Sequence, residues 1–356
     1  MEDFSFDAFE TYAKIVVIGV GGGGSNAVNQ MVEEEIAGVS FYVINTDAQA
    51  LATSKAENRL VLGREVTNGL GAGGEPNVGK KAAEASLDQI YDIVQGANMV
   101  FIAAGMGGGT GTGAAPIVAQ AAKDCGALTI AIVTRPFSFE GERRRKNAVE
   151  GIAQLKEAVD AMIIVSNDKL MMMNGTRSLA EAFSESNKVL AQSVKTITDL
   201  IVVPGIINLD FADVRNTLKD KGIALIGFGM GSGPKKATDA ASSALLSPLL
   251  EASIHGAHSI ICNITCGNSV SLDEVKEAID YITSAAGLNP NIIFGVQANP
   301  EINDQMFVSI VATEFDGDFD PLNDNVVVRP VNVETNRQND EVEEEEESIL
   351  PNFLNN

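Results

Sequence analysis

The stretch that decides the fold is FIAAGMGGGTGTGAAP, residues 101–116, in which GGGTGTG at 107–113 separates an apolar run from an alanine-rich segment. This order predicts a strand, a glycine-rich loop and a helix. Glycine lets a backbone approach phosphate oxygens because it carries no Cβ, and the amides at a helix start bind anions. The Walker sequence G-x-x-x-x-G-K-[ST] is absent from the chain, so backbone amides and Mg²⁺ would have to replace its lysine.

Two further glycine loops accompany the first. In KIVVIGVGGGGSNAV, residues 14–28, Gly19, Gly21 and Gly24 satisfy G-x-G-x-x-G, and Asp47 ends the next apolar run. Taken alone, this is a dinucleotide fingerprint, so an NAD-binding Rossmann-type enzyme is the alternative hypothesis. A dinucleotide fold needs one such turn, however, and GLGAGGEP at 69–76 adds a third loop. Several converging loops suit a triphosphate better.

The distribution of apolar runs predicts an α/β fold. Up to residue 167, continuous β-branched runs alternate with helical segments, which is typical of a doubly wound parallel sheet with ligand loops at the carboxyl ends of its strands. A long central helix follows at about 178–201, stopped by Pro204-Gly205. The remainder, to about residue 329, predicts a second α/β domain with a mixed sheet.

Composition excludes several classes of function. The 356 residues include 48 acidic and 25 basic side chains, a net charge of −23, which disfavours nucleic acid and anionic lipid as partners. MEDFSFDAFETY at the start lacks the features of a signal peptide, and no apolar run approaches the roughly 18 residues of a membrane span. We therefore expect a cytoplasmic protein without direct membrane insertion. Three cysteines and two histidines favour core thiols over a metal site built from protein side chains.

The end of the chain changes character abruptly. Seven of the eight residues in DEVEEEEE, 340–347, are acidic, which predicts a disordered segment. Apolar residues return in SILPNFL, 348–354. Composition alone leaves a docking peptide and a frayed terminus about equally supported.

GGGTGTG is the tubulin signature, and together with GVGGGGSNAVN, INTDAQAL, TRPFSFEG and NLDFADV it makes the chain resemble the FtsZ family of tubulin-like, bacterial cell-division GTPases. The resemblance runs from about Lys14 to Phe315 and returns at the terminal peptide. It implies a self-assembling GTPase that polymerises head to tail into protofilaments and forms a ring at midcell. The implied segments are an N-terminal extension (1–13), a GTP-binding domain (14–178), a central helix (179–203), a C-terminal α/β domain (204–329), an acidic linker (330–347) and a docking peptide (348–356).

The resemblance also implies ligands and partners. GTP or GDP would bind with Mg²⁺ held through the phosphates, and K⁺ is a further candidate ion. The terminal peptide would bind a membrane-tethering adaptor and other division proteins through Ile349, Leu350, Phe353 and Leu354. The residues that the resemblance assigns to GTP are Gly21, Gly22, Gly23, Gly24, Ser25, Asn26, Asn45, Ala72, Gly73, Gly74, Gly107, Gly108, Gly109, Thr110, Gly111, Thr112, Gly113, Pro136, Glu140, Arg144, Asn167, Phe183 and Asn187.

Asn187 departs from the family pattern, since many members carry Asp there. A carboxylate accepts from both N1–H and the exocyclic amine of guanine, whereas an amide accepts with less charge assistance. We still expect guanine, with weaker discrimination against other bases.

NLDFADVR, residues 208–215, carries the remaining candidate chemistry. Asp210 could simply cap a helix, with Asp213 favouring the same helix start. From the sequence alone, this explanation and a catalytic role are about equally supported. If Asn187 touches the base, the fourteen residues from it to Ile201 rise about 21 Å, too far for these aspartates to reach their own subunit's γ-phosphate. A head-to-tail neighbour would bring them to it. The resemblance implies the same arrangement, with Asn208, Asp210 and Asp213 catalytic; a non-hydrolysing scaffold would leave both aspartates unexplained.

Overall fold

The structure is a computed structural model that describes residues 13–173, 178–247, 249–250, 253–267, 270–287 and 290–315. The strands are β1 (Ile15–Val20), β2 (Val39–Asn45), β3 (Asn58–Val61), β4 (Met99–Gly105), β5 (Leu128–Arg135), β6 (Ala161–Ser166), β7 (Gly222–Ser232), β8 (Ala257–Cys266), β9 (Asn291–Ala298) and β10 (Gln305–Phe315). The helices are α1 (Gly21–Glu33), α2 (Ala48–Ala52), α3 (Arg64–Thr67), α4 (Pro76–Ala85), α5 (Leu87–Val94), α6 (Thr110–Asp124), α7 (Glu142–Ala158), α8 (Asn167–Met173), α9 (Leu179–Val202), α10 (Phe211–Leu218), α11 (Lys236–Leu245) and α12 (Leu272–Ala286).

The first six strands form the predicted parallel sheet, in the order β3-β2-β1-β4-β5-β6. Strands β1, β4, β5 and β6 coincide with apolar runs because a parallel strand covered on both faces needs no polar alternation; every residue of β1 is buried. The chain order reverses between β1 and β4. In sheets of this kind the crevice for a ligand opens beyond the carboxyl ends of the strands at such a reversal.

Helices cover both faces of this sheet. One core joins β1, β4 and β5 to α1 and α9, and a second joins the opposite face to α4, α5, α6 and α7. The prediction of a doubly wound sheet is therefore confirmed. The reversal point lies between two well-packed layers, which hold the loops at its edge in place.

The long helix α9 confirms the predicted central helix. Ser178 and Glu181 form a capping box at its start, in which the Ser178 hydroxyl accepts from the Glu181 N–H, an arrangement that satisfies two free amides of the first turn. The helix ends at Val202, two residues before Pro204, which cannot continue a helix. Its buried face packs against both halves of the molecule.

Strand β7 connects the two halves. Residues 222–224 pair in parallel with β6, and residues 225–232 pair antiparallel with β10. Beyond β10 the order continues to β8, which is antiparallel to β10, and then to β9, which is parallel to β8. The predicted mixed sheet is confirmed, and α11 and α12 cover its outer face.

Several boundaries differ from the sequence-based expectation. The run SNAVNQMVEEE predicts a helix from Ser25, but α1 already begins at Gly21. Helix α6 begins at Thr110, so both glycine loops supply the first helical turn. The run VGKKAAEASLDQIYDIV predicts one helix over 78–94, but the structure divides it at Ser86, whose hydroxyl accepts from the Gly63 N–H at 2.8 Å. Helices α7 and α12 were not predicted. Packing against neighbouring elements overrides local propensity at these places.

Some expectations concern residues outside this description. The N-terminal extension, the linker 330–347 and the peptide with Ile349, Leu350, Phe353 and Leu354 lie beyond the described residues. Within the described ranges, no helix combines the length and apolar character that crossing a bilayer requires. Cys262 and Cys266 are buried free thiols, and burial raises the pKa of Cys262 to about 12.

Candidate functional site

Two helices begin side by side at the reversal point of the sheet. α1 follows β1 directly and α6 follows β4, and no described side chain caps either helix. Neither first turn contains an acidic residue. The free N–H groups of both turns, together with the positive ends of both helix dipoles, therefore remain available to an anion.

The loop before α6 is held in shape by its own residues and by residues of neighbouring segments. The Thr112 hydroxyl accepts from the Gly107 N–H at 2.8 Å. Gly107 has φ +102°, and a Cβ there would meet the Arg144 carbonyl oxygen at 2.7 Å, so only glycine fits. The Thr110 and Thr46 hydroxyls lie 2.6 Å apart and are buried. These contacts define the shape of the loop within the protein itself.

A cavity of about 310 Å³ opens at these two helix starts. Thirteen of the residues assigned to GTP by sequence resemblance line it, and five others join them. The predicted lining residues are Gly22, Gly23, Asn26, Gly108, Gly109, Thr110, Gly111, Pro136, Glu140, Arg144, Asn167, Phe183 and Asn187; the others are Gly105, Met106, Thr134, Ser186 and Leu190.

Gly22 and Gly108 show what the cavity accommodates. Neither has a positive φ, and a Cβ on either would have no described atom within 4 Å. Neither backbone strain nor crowding by the protein therefore requires glycine at these positions. Both face the cavity, where a Cβ would occupy the space in which a phosphate could approach the amides. The glycines fit a bound phosphate.

One side of the cavity is built from charged and aromatic side chains. The Glu140 carboxylate accepts from the Phe137 N–H at 2.9 Å and from Arg144. Phe137 is buried and stacks on Phe139, while Phe183 meets the Phe137 ring edge-on at 5.1 Å. The phenylalanine cluster fixes the wall from which Glu140 and Arg144 project.

The part of the cavity formed by Asn167, Phe183, Ser186 and Asn187 is called here the base end. Phe183, Ser186 and Asn187 lie at positions i, i+3 and i+4 of α9, on one face of the helix. The Ser186 hydroxyl donates to Asn167 Oδ1 at 2.9 Å, and both residues are buried. This end offers a flat ring and amides, which suit a heterocyclic base.

Ten residues assigned to GTP do not line the cavity. Gly24 and Gly113 serve packing, because a Cβ would lie 2.1 Å from the Ala103 carbonyl oxygen or 1.9 Å from that of Pro76. The Ser25 hydroxyl donates to the Gly21 carbonyl oxygen. The full set outside the lining is Gly21, Gly24, Ser25, Asn45, Ala72, Gly73, Gly74, Gly107, Thr112 and Gly113.

The second glycine loop nevertheless adjoins the site. A Cβ on Gly109 would meet the Ala72 Cβ at 2.8 Å. Asn147 of α7, which sequence reasoning missed, donates to the carbonyl oxygens of Gly74 and Gly107 at 3.5 and 3.4 Å. The sequence predicts a solvated basic side chain at Arg143; this side chain is 68% exposed and pairs with Glu75. Residues 143 and 147 are four positions apart, so they lie on the same face of a helix. This spacing could have shown from the sequence that one face of α7 contacts the glycine loops.

The NLDFADV segment lies elsewhere. Asp210 caps α10 and accepts from the Asp213 N–H at 2.8 Å, while Asn208 Oδ1 accepts from the Gly205 N–H at 2.6 Å. All three side chains are exposed, and none is among the described residues that line the cavity. Asp210 therefore caps α10, and the segment is exposed at the surface.

Two observations bear on the remaining alternatives. Asp47, the residue that a dinucleotide site would use for ribose, accepts from the N–H groups of Gln49 and Ala50 and so caps α2. It does not belong to the described lining of the cavity. The described residues also contain no group of three or more His, Cys, Asp or Glu side chains able to hold a metal ion.

Comparisons with known proteins agree with this architecture. Residues 14–175 match the model of the tubulin/FtsZ family GTPase domain, and residues 222–316 match that of the FtsZ family C-terminal domain. An empty FtsZ dimer from M. jannaschii is 40% identical to the chain, with a TM-score of 0.82 over 86% of this chain and 89% of that one.

Two more distant structures share the fold. CetZ1 from Haloferax volcanii, a GDP-bound monomer, is 20% identical with a TM-score of 0.75 over 87% of this chain and 96% of its own. CetZ2 from the same organism, a GTPγS-bound protofilament, is 21% identical with a TM-score of 0.72 over 84% and 92%. At these identities the likeness concerns the fold alone.

Proposed function

Because the chain belongs to the tubulin/FtsZ family of GTPases, we propose that it assembles head to tail into protofilaments, hydrolyses GTP between subunits and forms the ring of a dividing cell. The observation that carries the proposal is the pair of uncapped helix starts around the cavity, with Gly22 and Gly108 open toward it. This arrangement suits a nucleoside triphosphate, in agreement with the match to the family's GTPase domain.

We assign the phosphates, the ribose and the base of GTP to three regions of the cavity. Amides of the first turns of α1 and α6 would hold the phosphates, Glu140 and Arg144 the ribose side, and the base end the guanine. Mg²⁺ would be held through phosphate oxygens, in agreement with the preference of this ion for oxygen ligands and retained water. The protein's part in hydrolysis is then positioning and charge stabilisation.

Hydrolysis would need a second subunit. Asn208, Asp210 and Asp213 are exposed and lie outside the cavity lining, so a neighbouring copy would supply them to the phosphates. Exposed apolar side chains support such a contact: Leu70, beside the second glycine loop, is 80% exposed, and Ile206, beside the NLDFADV segment, is 71% exposed. A head-to-tail contact that does not close gives an open filament. FtsZ dimers and a CetZ2 protofilament are known.

A dinucleotide enzyme is not favoured. It would use the first glycine loop but not the start of α6, and its ribose-binding acid would have to be Asp47, which already caps α2.

Assembly tests the proposed function directly. We expect light scattering of the full chain with Mg²⁺ to rise on addition of GTP and to fall again as GTP is consumed, because hydrolysis weakens the contact that formed the site. GDP and NADH, added separately, should produce no rise. Scattering that responds equally to GDP, or a rise with GTP that never declines while phosphate is released, would contradict hydrolysis-limited assembly.

The terminal peptide would recruit a membrane-tethering adaptor and so place filaments at midcell. Deletion of residues 348–356 should leave GTP turnover within about twofold of the full chain and abolish localisation, since the deleted residues lie far along the sequence from the cavity residues. Fluorescence microscopy of dividing cells and phosphate release measure the two effects. A matched chain in which residues 348–356 are kept and 340–347 are replaced by a neutral linker should still localise; unchanged localisation after the deletion contradicts the docking role.

A further inference from the structure

Helix α6 links the cavity to the opposite edge of the parallel sheet. It begins at Thr110 in the cavity lining and ends at Asp124, and its 15 residues rise about 22 Å. Its last turn carries Lys123, whose ammonium group lies 3.5 Å from the carboxylate of Asp160, the residue just before β6. One helix therefore joins the cavity to the edge at which the strands of the sheet begin.

The Asp160 carboxylate is buried and depends on this ammonium group. Its side chain is 4% exposed, and its second oxygen accepts from the Thr129 N–H at 2.8 Å. Removing a charge from water is costly unless an opposite charge and hydrogen bonds compensate it. Lys123 and the Thr129 N–H supply both, so the end of α6 is held at a fixed place beside β5 and β6.

The same ammonium group also holds the turn that follows α10. Lys123 donates to Asp220 Oδ1 at 3.1 Å. The backbone of this turn is tied to the same place, because the N–H groups of Lys221 and Gly222 donate to the Asp160 carbonyl oxygen at 2.8 and 2.9 Å. Lys123 therefore bridges two carboxylates, one buried before β6 and one in the turn after α10.

Helix α10 has different surroundings at its two ends. Asp210 and Asp213 are exposed at its start, whereas its other end leads into the turn that Lys123 holds. The Arg215 guanidinium group adds a second contact with the end of α6, since it donates to the Gly126 carbonyl oxygen at 3.5 Å. The position of the two aspartates is thus set by contacts made farther along their own helix.

We propose that Lys123 is a positioning residue for GTP hydrolysis in the adjacent subunit; the inference rests on the proposed function. By bridging Asp160 and Asp220 it fixes α10, the helix that would present the catalytic aspartates. Lys123 itself does not belong to the described cavity lining, so it acts through α10 alone. Displacement of a catalytic group by about 1 Å can cost about 100-fold in rate, and a loosened α10 therefore slows turnover without weakening GTP binding.

Asp220→Gly breaks the bridge at its exposed end and tests the proposal. Asp220 has φ +55°, which glycine adopts without strain, and the ion pair between Lys123 and Asp160 remains, so folding should be preserved. We expect kcat for GTP to fall about tenfold, with KM and the amount of sedimented polymer within about twofold of the unaltered chain. Lys276→Met, which removes an exposed ion pair with Asp280 on α12, is the control and should leave all three quantities unchanged.

Substitutions of Lys123 test the bridge from its other side. Lys123→Arg keeps a cation that can pair with two carboxylates and should retain kcat within about threefold. Lys123→Met leaves the buried Asp160 carboxylate without its cation, so a lower unfolding temperature should accompany the loss in kcat. Asp220→Gly keeps that buried pair, so a loss of kcat at unchanged thermal stability in this variant separates positioning from folding.

Combination with the catalytic substitutions distinguishes positioning from a general structural effect. In a chain that already carries Asp210→Asn and Asp213→Asn, Asp220→Gly should lower kcat by less than about threefold, because groups that act as a unit lose their effects together. A tenfold loss in both backgrounds overturns the positioning role. Unaltered kcat in Asp220→Gly, with slow hydrolysis by Asp210→Asn, overturns this inference alone. Normal hydrolysis by Asp210→Asn overturns the proposed site between subunits and this inference with it.

Discussion

Asp210→Asn is expected to bind GTP and assemble while hydrolysing GTP about 10²–10³-fold more slowly than the unaltered chain. Its carboxylate would face the neighbouring subunit's phosphates and orient water and a cation, and removing one preorganised electrostatic group costs a rate factor of this size. Nucleotide binding should be unchanged, because Asp210 is not among the described residues that line its own subunit's cavity. Phosphate release and sedimentation of polymer measure the two properties.

The capping role of Asp210 makes the choice of substitution decisive. Asn caps a helix as well as Asp does, whereas Asp210→Ala loses the bond to the Asp213 N–H and about 1 kcal/mol of stability. If the carboxylate is catalytic, both variants lose turnover and both reduce the activity of the unaltered chain in mixtures, because each enters filaments as a defective neighbour. Normal hydrolysis by Asp210→Asn would leave capping as the only role of Asp210.

Gly108→Ala is expected to fold normally and to bind GTP at least about 100-fold more weakly. Its φ is not positive and a Cβ would have no described atom within 4 Å, so the folded protein should tolerate alanine or gain up to about 1 kcal/mol from a less flexible unfolded chain. The methyl group would instead occupy the space where a phosphate approaches the amides at the start of α6. Thermal unfolding without ligand, and titration with GTP, report the two effects.

Gly113→Ala is the contrasting variant in the same sequence motif. Its Cβ would lie 1.9 Å from the Pro76 carbonyl oxygen, so the expected loss is one of folding stability, through the contact of α4 with α6. Gly108→Ala with unaltered GTP affinity would show that the open space at Gly108 is not where the phosphates bind.

The sequence was most informative where one physical requirement acted on many neighbouring residues. Burial on both faces marks β1, β4 and β5 as unbroken apolar runs, and the Ser178–Glu181 capping box and Pro204 mark the two ends of α9. The three glycine loops and their order then predict a nucleotide site at the carboxyl edge of the sheet. These features are local, so they can be recognised without knowing the packing.

Features that depend on packing could not be predicted. Nothing near Gly21 in the sequence shows that α1 begins there, since glycine is a poor helix former and its place is set by the close contact with Gly111. The bond between Ser186 and Asn167 joins residues nineteen positions apart. Asn147 likewise reaches two loops that only the fold brings to it.

The 24 residues of α9 have a consequence for the proposed filament. At about 1.5 Å per residue the helix is a rod of about 36 Å, with Phe183 and Asn187 near one end and the NLDFADV segment just beyond the other. The distance between successive nucleotides in the filament would thus be set largely by the length of α9 inside each subunit. The contact between two subunits would add the remainder. Hydrolysis would then act on the contacts between subunits, while the length of each α9 stays the same.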